Sequence, residues 1–483
     1  MTESALVWIV LTPLVGALAV LLTGRWPNLR EAVSLITGGG LIAQVMTLIS
    51  PVLAGESPSI LLVTPVPGVP LALQIEPLGL LFALIAAVLW VATTVYAIGY
   101  MRGHGEQHQT RFYAFFAIAI SATMGVALAQ NLFTLFLFYE LLTLSTYPLV
   151  THAGTDEAKR GGRVYLGILM GTSMGFLLLA VIWTWHLAGT TGFHPGGILA
   201  GKTSPLVLGV LYALFAFGIG KAALMPFHRW LPAAMVAPTP VSALLHAVAV
   251  VKAGVFAILK ITIYIFGLDL LSGTGATTPI LWVAAFTIIG ASLIALRQDN
   301  LKRRLAYSTI SQLSYVVLGA VLANAAGIAG AAVHIATHAV GKITLFFCAG
   351  AILVAAHKTR VSELDGLGRQ MPITMGAFLI ASLSIAGLPP TAGLWGKWYL
   401  SLGALDAGYG VLAGVLMLST LLNIAYLLPI PLRAFFVRGT DQGEQWHEAP
   451  LPCLVAICFT TIACVALFFF PEPVYQLASM LVR

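Results

Sequence analysis

Long apolar runs separated by short polar connections make up almost the whole chain. Crossing the hydrocarbon core of a membrane takes about 20 apolar residues, and the backbone must satisfy its own hydrogen bonds there. The pattern therefore predicts an all-α polytopic membrane protein with about fourteen transmembrane helices, called spans 1–14 below. They are expected at residues 4–24, 31–53, 77–101, 111–129, 131–151, 163–186, 205–236, 240–266, 278–297, 302–323, 326–357, 371–405, 407–434 and 450–470.

Two stretches near the start of the chain need separate interpretation. The first apolar run follows MTES, which holds an acid and no cation, and it is long enough to cross a membrane. It is interpreted as span 1 rather than a signal peptide. Residues 60–76 carry prolines and β-branched residues, which predicts a small extended hairpin at one surface.

Composition excludes a soluble globular domain, because 59% of the 483 residues are hydrophobic, only 8% are charged, and the mean hydropathy is +0.96. The net charge of +7 comes from cations scattered between apolar runs, so membrane orientation explains it better than nucleic-acid binding. All four cysteines lie inside apolar runs without metal-ligand spacing, and they are expected to be small hydrophobic residues. They are Cys348, Cys453, Cys458 and Cys464.

The distribution of Lys and Arg tests the number of spans. Of the 24 cations, 17 lie in odd-numbered connections, and only Lys202 and Arg483 lie in even-numbered connections or at a terminus. The positive-inside rule then places the odd connections in the cytoplasm and both termini outside. One missed helix would destroy this asymmetry.

Five lysines remain inside spans, at an insertion cost of about 2.5–3.5 kcal/mol for each central cation. Lys260 is close to the end of its span, so we expect it to reach the interface by snorkelling. Glu140 is the only acid deep in a predicted span. The other four lysines lie too deep to snorkel and predict a polar pathway inside the membrane: Lys221, Lys252, Lys342 and Lys397.

Histidines extend this polar pattern. His334, His338 and Lys342 are spaced i, i+4 and i+8, which places all three on one face of a helix. His246 precedes Lys252 by six residues, so the two are expected on different faces of span 8. A single buried histidine is usually a satisfied hydrogen-bonding group, but several titratable groups on one face of a charge-poor protein favour a proton pathway.

Two spans contain proline-rich interruptions, FGIGKAALMPFHRWLP at 217–232 and SLSIAGLPPTAGLWGKWYL at 382–400. Proline breaks the helical hydrogen-bond pattern, and the freed carbonyls need polar surroundings in a membrane. Interrupted spans at corresponding places in two halves indicate a transport site at the midplane. Lys221 and Lys397 lie at these breaks, and His228 is expected back on the same side as Lys221.

At these motifs the chain resembles the antiporter-like subunit family. The family comprises proton-channel subunits of respiratory complex I, the A-type and D-type subunits of Mrp-type cation/proton antiporters, and relatives in membrane-bound hydrogenases. In length the chain is most similar to the D-type Mrp protein or a compact complex I-like subunit. The resemblance covers nearly the whole chain and is carried by HRWLPAAMVAPTPVSALLHAVAVVKAG (228–254), DNLKRRLAYSTISQLSY (299–315), HIATHAVGKITLFF (334–347) and GLPPTAGLWGK (387–397).

The resemblance implies two inverted five-helix repeats, spans 4–8 and 9–13, with spans 7 and 12 broken. The implied division is 1–110 (spans 1–3 and the hairpin), 111–270 (first repeat), 271–435 (second repeat) and 436–483 (span 14). It also implies proton-relay roles by matching position. In these implied roles, Glu140 is paired with Lys221 and accompanied by His228, and His246 and Lys252 are connecting groups. The implied central relay consists of His334, His338 and Lys342, and Lys397 is the terminal lysine.

Two positions vary within the family that the chain resembles. The terminal position, Lys397 here, is lysine in some members and glutamate in others, and the acidic form is found in a complex I subunit. The family often has histidine where Gln312 stands, so no proton carrier is expected at that point.

These features predict a proton-translocating subunit, in which a Glu140–Lys221 ion pair acts as a switch. The sequence shows no phosphate-binding loop, cluster motif or nicotinamide fingerprint, so no cofactor is expected and an ion gradient or redox partner must supply the energy.

Three functions are compatible with these features. They are an Mrp-type antiporter subunit exchanging protons for Na⁺ or K⁺, a pumping subunit of a complex I-like or hydrogenase complex, and a haem or quinone oxidoreductase using His334 and His338. The first two require other membrane subunits, and the third is disfavoured because haem usually takes histidines from facing helices.

Overall fold

Helices occupy every predicted span in the computed structural model, which describes residues 2–438 and 446–482. Eleven helices among the described residues are long and apolar enough to cross a membrane. The other three predicted spans are 7 and 12, which are interrupted, and span 10, a helix of 21 residues with three cations in its first turn. The fourteen-span prediction is therefore confirmed.

The helices begin and end within a few residues of the predicted bounds, except span 6, which begins seven residues early. Spans 1–7 are Thr2–Leu22; Pro27–Met46 with Ile49–Leu53; Pro77–Gly103; Gln109–Ala127; Leu132–Val150; Asp156–Ala188; and Pro205–Gly218 with Gly220–Ala222 and Trp230–Ala233. Spans 8–14 are Thr239–Phe266; Thr278–Arg297; Leu301–Val321; Ala325–Ala356; Pro372–Ala386 with Gly393–Asp406; Gly410–Leu427 with Pro429–Phe436; and Leu451–Phe469.

Polar side chains cap the spans that enclose the lysines. Asn131 accepts a hydrogen bond from the backbone N–H of Thr134 at the start of span 5, and Asn324 does the same for Gly327 at the start of span 11. Each cap satisfies one of the backbone donors that a helix leaves unpaired at its first turn. These caps fix where the two buried spans begin.

Spans 7 and 12 are broken, as predicted. Span 7 ends its regular helix at Gly218 and continues as a 3₁₀ turn over Gly220–Ala222. Span 12 ends at Ala386, where Gly387 adopts a φ of 81°, and resumes at Gly393. A Cβ at Gly387 would lie 2.7 Å from Cδ of Lys397, so this position combines a left-handed backbone with a close approach that favours glycine.

The spans differ strongly in how far they are buried. In span 8 the whole of the most apolar 18-residue window is buried inside the protein, and in spans 4 and 11 the buried share is 78%. The corresponding share is only 28–39% in spans 1, 2 and 14, which present large apolar side chains outward. Span 10 is also buried along most of its length. Spans 8, 10 and 11 therefore form the interior, with Lys252 on span 8 and Lys342 on span 11.

The predicted hairpin is present as strands β1 (Ser59–Val66) and β2 (Val69–Gln74), which pair antiparallel. A short helix that the sequence did not predict, Glu472–Ser479, follows span 14. The predicted segment 436–483 includes residues 439–445 and Arg483, which lie outside the described residues.

Candidate proton-relay site

Lys221 is fully buried at the break of span 7. Its ammonium Nζ donates to the carbonyl oxygen of Tyr139 at 2.8 Å and to Oγ1 of Thr143 at 2.6 Å, and it lies 3.1 Å from the centre of the Tyr139 ring. Gly254 of span 8 approaches the same turn closely, because a Cβ there would lie 2.4 Å from the backbone nitrogen of Ala222. Spans 5, 7 and 8 thus meet around one lysine.

The predicted ion pair between Glu140 and Lys221 is not formed, so that expectation is wrong for this conformation. The Glu140 side chain is only 7% exposed, and neither carboxyl oxygen has a hydrogen-bond partner among the described residues. Lys221 instead uses oxygens of Tyr139 and Thr143, which flank Glu140 on the same helix. A buried carboxyl group without a protein partner is costly when charged, and it is suited to accept a proton or a cation.

A continuous line of polar and aromatic side chains connects span 8 to span 12. Nζ of Lys252 lies 2.7 Å from Nδ1 of His338. The rings of His338 and His334 stack at 5.7 Å between centres, and the ring of His334 stacks on Tyr315 at 5.3 Å. Lys397 ends the line, with its Nζ 5.1 Å from the centre of the Tyr315 ring. All five side chains are at least nine-tenths buried, and we call them the central array.

Lys342 has a different partner from the two histidines on its helix. Its Nζ donates to Oγ of Ser308 on span 10 at 2.7 Å, and the hydroxyl of Tyr426 on span 13 donates to the same oxygen at 3.0 Å. Tyr426 also contacts the side-chain oxygen of Asn423. Lys342 is therefore held by a hydroxyl network beside the central array.

Lys397 is held at the break of span 12. Its Nζ donates to the carbonyl oxygen of Ala386 at 2.9 Å and to Oγ1 of Thr420 on span 13 at 3.2 Å. The carbonyl of Ala386 belongs to the last residue before the interruption, so Lys397 satisfies a backbone group that the break releases. One side chain thus caps a broken helix and ends the central array.

The two remaining candidate histidines lie outside the central array. His246 is in a π-helical turn of span 8 and packs its ring 4.4 Å from that of Phe346, and neither ring nitrogen has a partner among the described residues. His228 is half-buried, with its ring 6.2 Å from that of Tyr307. His228 was expected on the same helix face as Lys221, which assumed that one continuous helix carries both residues. That expectation is wrong, because non-helical turns separate the two residues.

Lys260 does not snorkel, and that expectation is wrong. Its side chain is 1% exposed, with Nζ 2.8 Å from Oε1 of Glu76 and 2.8 Å from the carbonyl oxygen of Ala129. Glu76 precedes the first residue of span 3, just outside the apolar run, so no pattern in the sequence indicated a partner for Lys260. The pair forms because spans 3 and 8 pack together, which residue spacing within one helix does not reveal.

Sequence reasoning also missed Tyr315 and the role of Ser308. Both lie in the DNLKRRLAYSTISQLSY run, within which only Gln312 was singled out as a position of interest. Gln312 is fully buried, and neither end of its amide has a partner among the described residues. The cluster of Ser, Thr, Gln and Tyr within a buried helix is the signal that could have identified span 10 as part of the pathway.

Comparison with known proteins identifies the family of this chain. Residues 129–423 match the family model described as NADH:quinone oxidoreductase/Mrp antiporter, TM. The chain therefore belongs to this family of antiporter-like membrane subunits, and it is a polytopic component of a respiratory or antiporter complex.

Two curated relatives show the extent of the similarity. The chain is 35% identical over 389 residues to NADH-quinone oxidoreductase subunit N of Desulforudis audaxviator, covering 79% of this chain and 75% of the relative. It is 33% identical over 346 residues to NAD(P)H-quinone oxidoreductase chain 5 of Synechocystis, covering 67% of this chain and 48% of that protein. The chain thus spans three quarters of the first relative and about half of the second.

Two solved structures share the fold over nearly the full length. A chain of the Mrp complex from Dietzia sp. DQ12-45-1b superposes with a TM-score of 0.87 at 21% identity, covering 99% of this chain and 97% of that one. A chain of the membrane-bound sulfane sulfur reductase, an archaeal respiratory membrane complex, gives the same TM-score and the same coverage at 23% identity. At these identities the likeness establishes the fold, including the broken spans of the two inverted repeats.

Proposed function

We propose that this chain carries protons across the interior of a multisubunit membrane complex, through the central array between Lys252 and Lys397. The observation that supports this most directly is the 2.7 Å contact between Nζ of Lys252 and Nδ1 of His338, both buried. An amine and an imidazole at this distance share one proton, and moving it changes the charge on each group. Lys221 and Glu140 form a second proton-carrying unit, accompanied by His228, and His246 is a connecting group with Lys252 on span 8.

The relay in this proposal works by changing charges one at a time. A proton or cation that reaches Glu140 alters the field at Lys221, and the change passes to the array through span 8, against which the Lys221 turn packs. Only one of Lys252 and His338 carries the shared proton, because two adjacent buried cations would repel each other. His334 and Tyr315 lie between this shared proton and Lys397.

We further propose that the complex is an Mrp-type monovalent cation/proton antiporter, exchanging protons for Na⁺ or K⁺, and that this chain is its D-type component. The lysine at position 397 supports this choice, because a complex I subunit of the family that this chain resembles has an acidic residue at the corresponding terminal position. The proposed setting is the plasma membrane, with both termini outside and the cation-rich odd connections in the cytoplasm, as the charge asymmetry favours.

A second candidate is a proton-pumping subunit of a complex I-like or hydrogenase-linked redox complex. It is favoured by the 35% identity to a protein named NADH-quinone oxidoreductase subunit N. A haem enzyme is the weaker alternative, because His334 and His338 stack on each other and Nδ1 of His338 faces an amine.

One experiment separates the two settings. The tagged chain is purified with its partners from native membranes, the partners are identified by mass spectrometry, and proton movement is measured in vesicles with either an imposed Na⁺ or K⁺ gradient or a quinone-linked electron donor. An antiporter responds to the cation gradient and a redox pump to the donor. Proton movement that survives Lys252→Met under both conditions would contradict the relay itself.

A further inference from the structure

A cavity of about 630 Å³, lined by both polar and apolar residues, lies at the end of the protein where the hairpin is found. Its walls include four even-numbered connections, those between spans 2 and 3, 4 and 5, 6 and 7, and 8 and 9, together with the end of span 8 and the C-terminal residues Met480–Val482. Exposed acids, Glu56 and Asp269, line it near the surface, and the ion pair of Glu76 and Lys260 lies at its buried end. The cavity therefore leads from the surface to a buried pair of opposite charges.

Backbone groups and aromatic side chains surround the ion pair, and the Tyr264 side chain of span 8 lies beside Glu76 in the cavity wall. Oε1 of Glu76 faces Nζ of Lys260 at 2.8 Å, and Oε2 accepts a hydrogen bond from the backbone N–H of Gly79 at 2.9 Å. Lys260 also donates to the carbonyl of Ala129 and lies 4.9 Å from the centre of the Phe193 ring. Burying two charges is costly and stabilises a fold little compared with apolar residues of similar size. An ion pair at the end of a cavity with acids at its surface is better explained by a charge-transfer role than by stability.

The pair is connected to the central array through span 8. Lys252 and Lys260 lie on the same helical segment, Val250–Ile261, eight residues apart. At 1.5 Å per residue the two lysines are about 12 Å apart along the helix axis. A change of charge at Glu76 therefore acts on Lys260, which lies on the same short helical segment as Lys252 of the central array.

We propose that Glu76 is the group through which the relay exchanges protons with water on the side of the even-numbered connections, with Lys260 as its fixed counter-ion. This inference rests on the proposed function. In the outward step, Lys252 releases a proton, water molecules carry it over the separation of about 12 Å, and the Glu76 carboxylate accepts it and then gives it to a water molecule of the cavity, forming hydronium. The inward step is the reverse. As the counter-ion, the Lys260 ammonium favours the carboxylate form of Glu76 after the proton has left.

Variants of the pair in the assembled complex separate this role from a structural one. Glu76→Gln keeps an oxygen for the Gly79 N–H but cannot carry a proton, and alone it would leave Lys260 as an unpaired buried cation. The double variant Glu76→Gln/Lys260→Met removes both charges, which is often neutral or favourable for stability. We expect the double variant to assemble in normal amounts, while its proton flux per complex falls by about tenfold or more.

A conservative substitution tests the counter-ion. Arginine remains charged at all working pH values, so Lys260→Arg keeps the ion pair, and we expect it to give clearly higher flux per complex than Lys260→Met. If Lys260→Arg were as inactive as Lys260→Met in equally assembled complexes, the fixed counter-ion role would be wrong.

Access of water to the pair is tested independently of transport. Ile263→Cys places a thiol in the cavity wall, whereas Ile261→Cys lies two residues away on the same span and outside the wall. A membrane-impermeant cationic methanethiosulfonate applied to the hairpin side should modify the first thiol and not the second, after subtraction of labelling at the four native cysteines. Equal absence of labelling at both positions would show that the cavity is closed to water and overturn the exchange site.

The proton flux of two variants distinguishes a failure of this proposal from a failure of the relay. Wild-type flux in Glu76→Gln/Lys260→Met, beside an inactive Lys252→Met complex, would mean that the pair is a structural clamp and that protons exchange elsewhere. Loss of flux in the double variant beside normal flux in Lys252→Met would instead overturn the relay through Lys252 and support exchange at Glu76.

Discussion

Nζ of Lys252 and Nδ1 of His338 lie 2.7 Å apart, on spans 8 and 11, with neither side chain more than 2% exposed. The lone pair of the imidazole nitrogen accepts a hydrogen bond from the ammonium, or the protonated imidazole donates to the neutral amine. In the proposed relay the pair holds one such proton, and therefore a single positive charge, in the membrane interior. Its two forms differ only in which helix carries the charge.

Lys252→Met should abolish proton transport while leaving the complex assembled, because methionine fills the space of the lysine stem but carries no proton. The flux per assembled complex should fall by about 100-fold, the usual effect of losing a proton-transfer group. Lys202→Met is the matched control, since Lys202 is exposed in the connection between spans 6 and 7, and it should transport like the wild type. Similar flux in both variants would remove Lys252 from the pathway.

Tyr315 is expected to act through its ring rather than its hydroxyl. The ring lies between His334 and Lys397, whereas the hydroxyl lies 3.4 Å from the carbonyl oxygen of Leu416 and beside the hydroxyl groups of Ser419 and Thr420 on span 13. A ring face attracts a nearby ammonium by about 0.5–2 kcal/mol, so Tyr315→Phe should keep most of the transport and Tyr315→Leu should lose it. Transport assays at matched amounts of complex decide this. If Phe were as defective as Leu, the hydroxyl would be the group that matters.

Glu140 and Lys221 should behave as one functional unit although no salt bridge joins them in this conformation. Glu140→Gln and Lys221→Met should each stop transport, and the double variant should be no worse than either single one. Transport per complex for the three variants measures this coupling. Independent, multiplying losses would show that the two residues act at separate steps.

Lys397 both caps the carbonyl of Ala386 and ends the central array, and substitutions distinguish these two roles. Lys397→Ala leaves no proton carrier and should be inactive per assembled complex. Lys397→Glu restores a carrier of opposite charge and should keep a measurable fraction of transport with a changed pH optimum. A purely structural cap predicts that both variants lower the amount of complex without lowering the transport of each complex that assembles.

The sequence predicted the spans and the two breaks, and it singled out most members of the proposed relay, because each depends on local features. Apolar length, proline and an intramembrane lysine are visible in a single segment, and the i, i+4 spacing of His334 and His338 was enough to place them on one face. Partners across helices were harder to predict. Glu76 lies outside its apolar run, and Tyr315 resembles an ordinary core aromatic residue, so both required the packing of spans 3, 8 and 10.

The same limit explains the error at Glu140. One deep acid and one deep lysine suggested an ion pair, because opposite charges in a membrane are expected to meet. The fold instead supplies Lys221 with a carbonyl and a hydroxyl from the turn of span 5 that carries Glu140. Only the three-dimensional packing shows that neighbouring oxygens can replace the carboxylate.

The most direct test of the relay is the proton flux per assembled complex of His338→Phe in membrane vesicles, followed with a pH-sensitive dye. Phenylalanine keeps a flat ring that can stack on His334, but it has no nitrogen to share a proton with Lys252. His186→Phe is the control, because His186 is exposed on span 6 and has no place in the proposed relay. We predict that His338→Phe assembles normally and loses transport by about 100-fold, while His186→Phe transports like the wild type. Wild-type flux in His338→Phe would contradict the proposed relay.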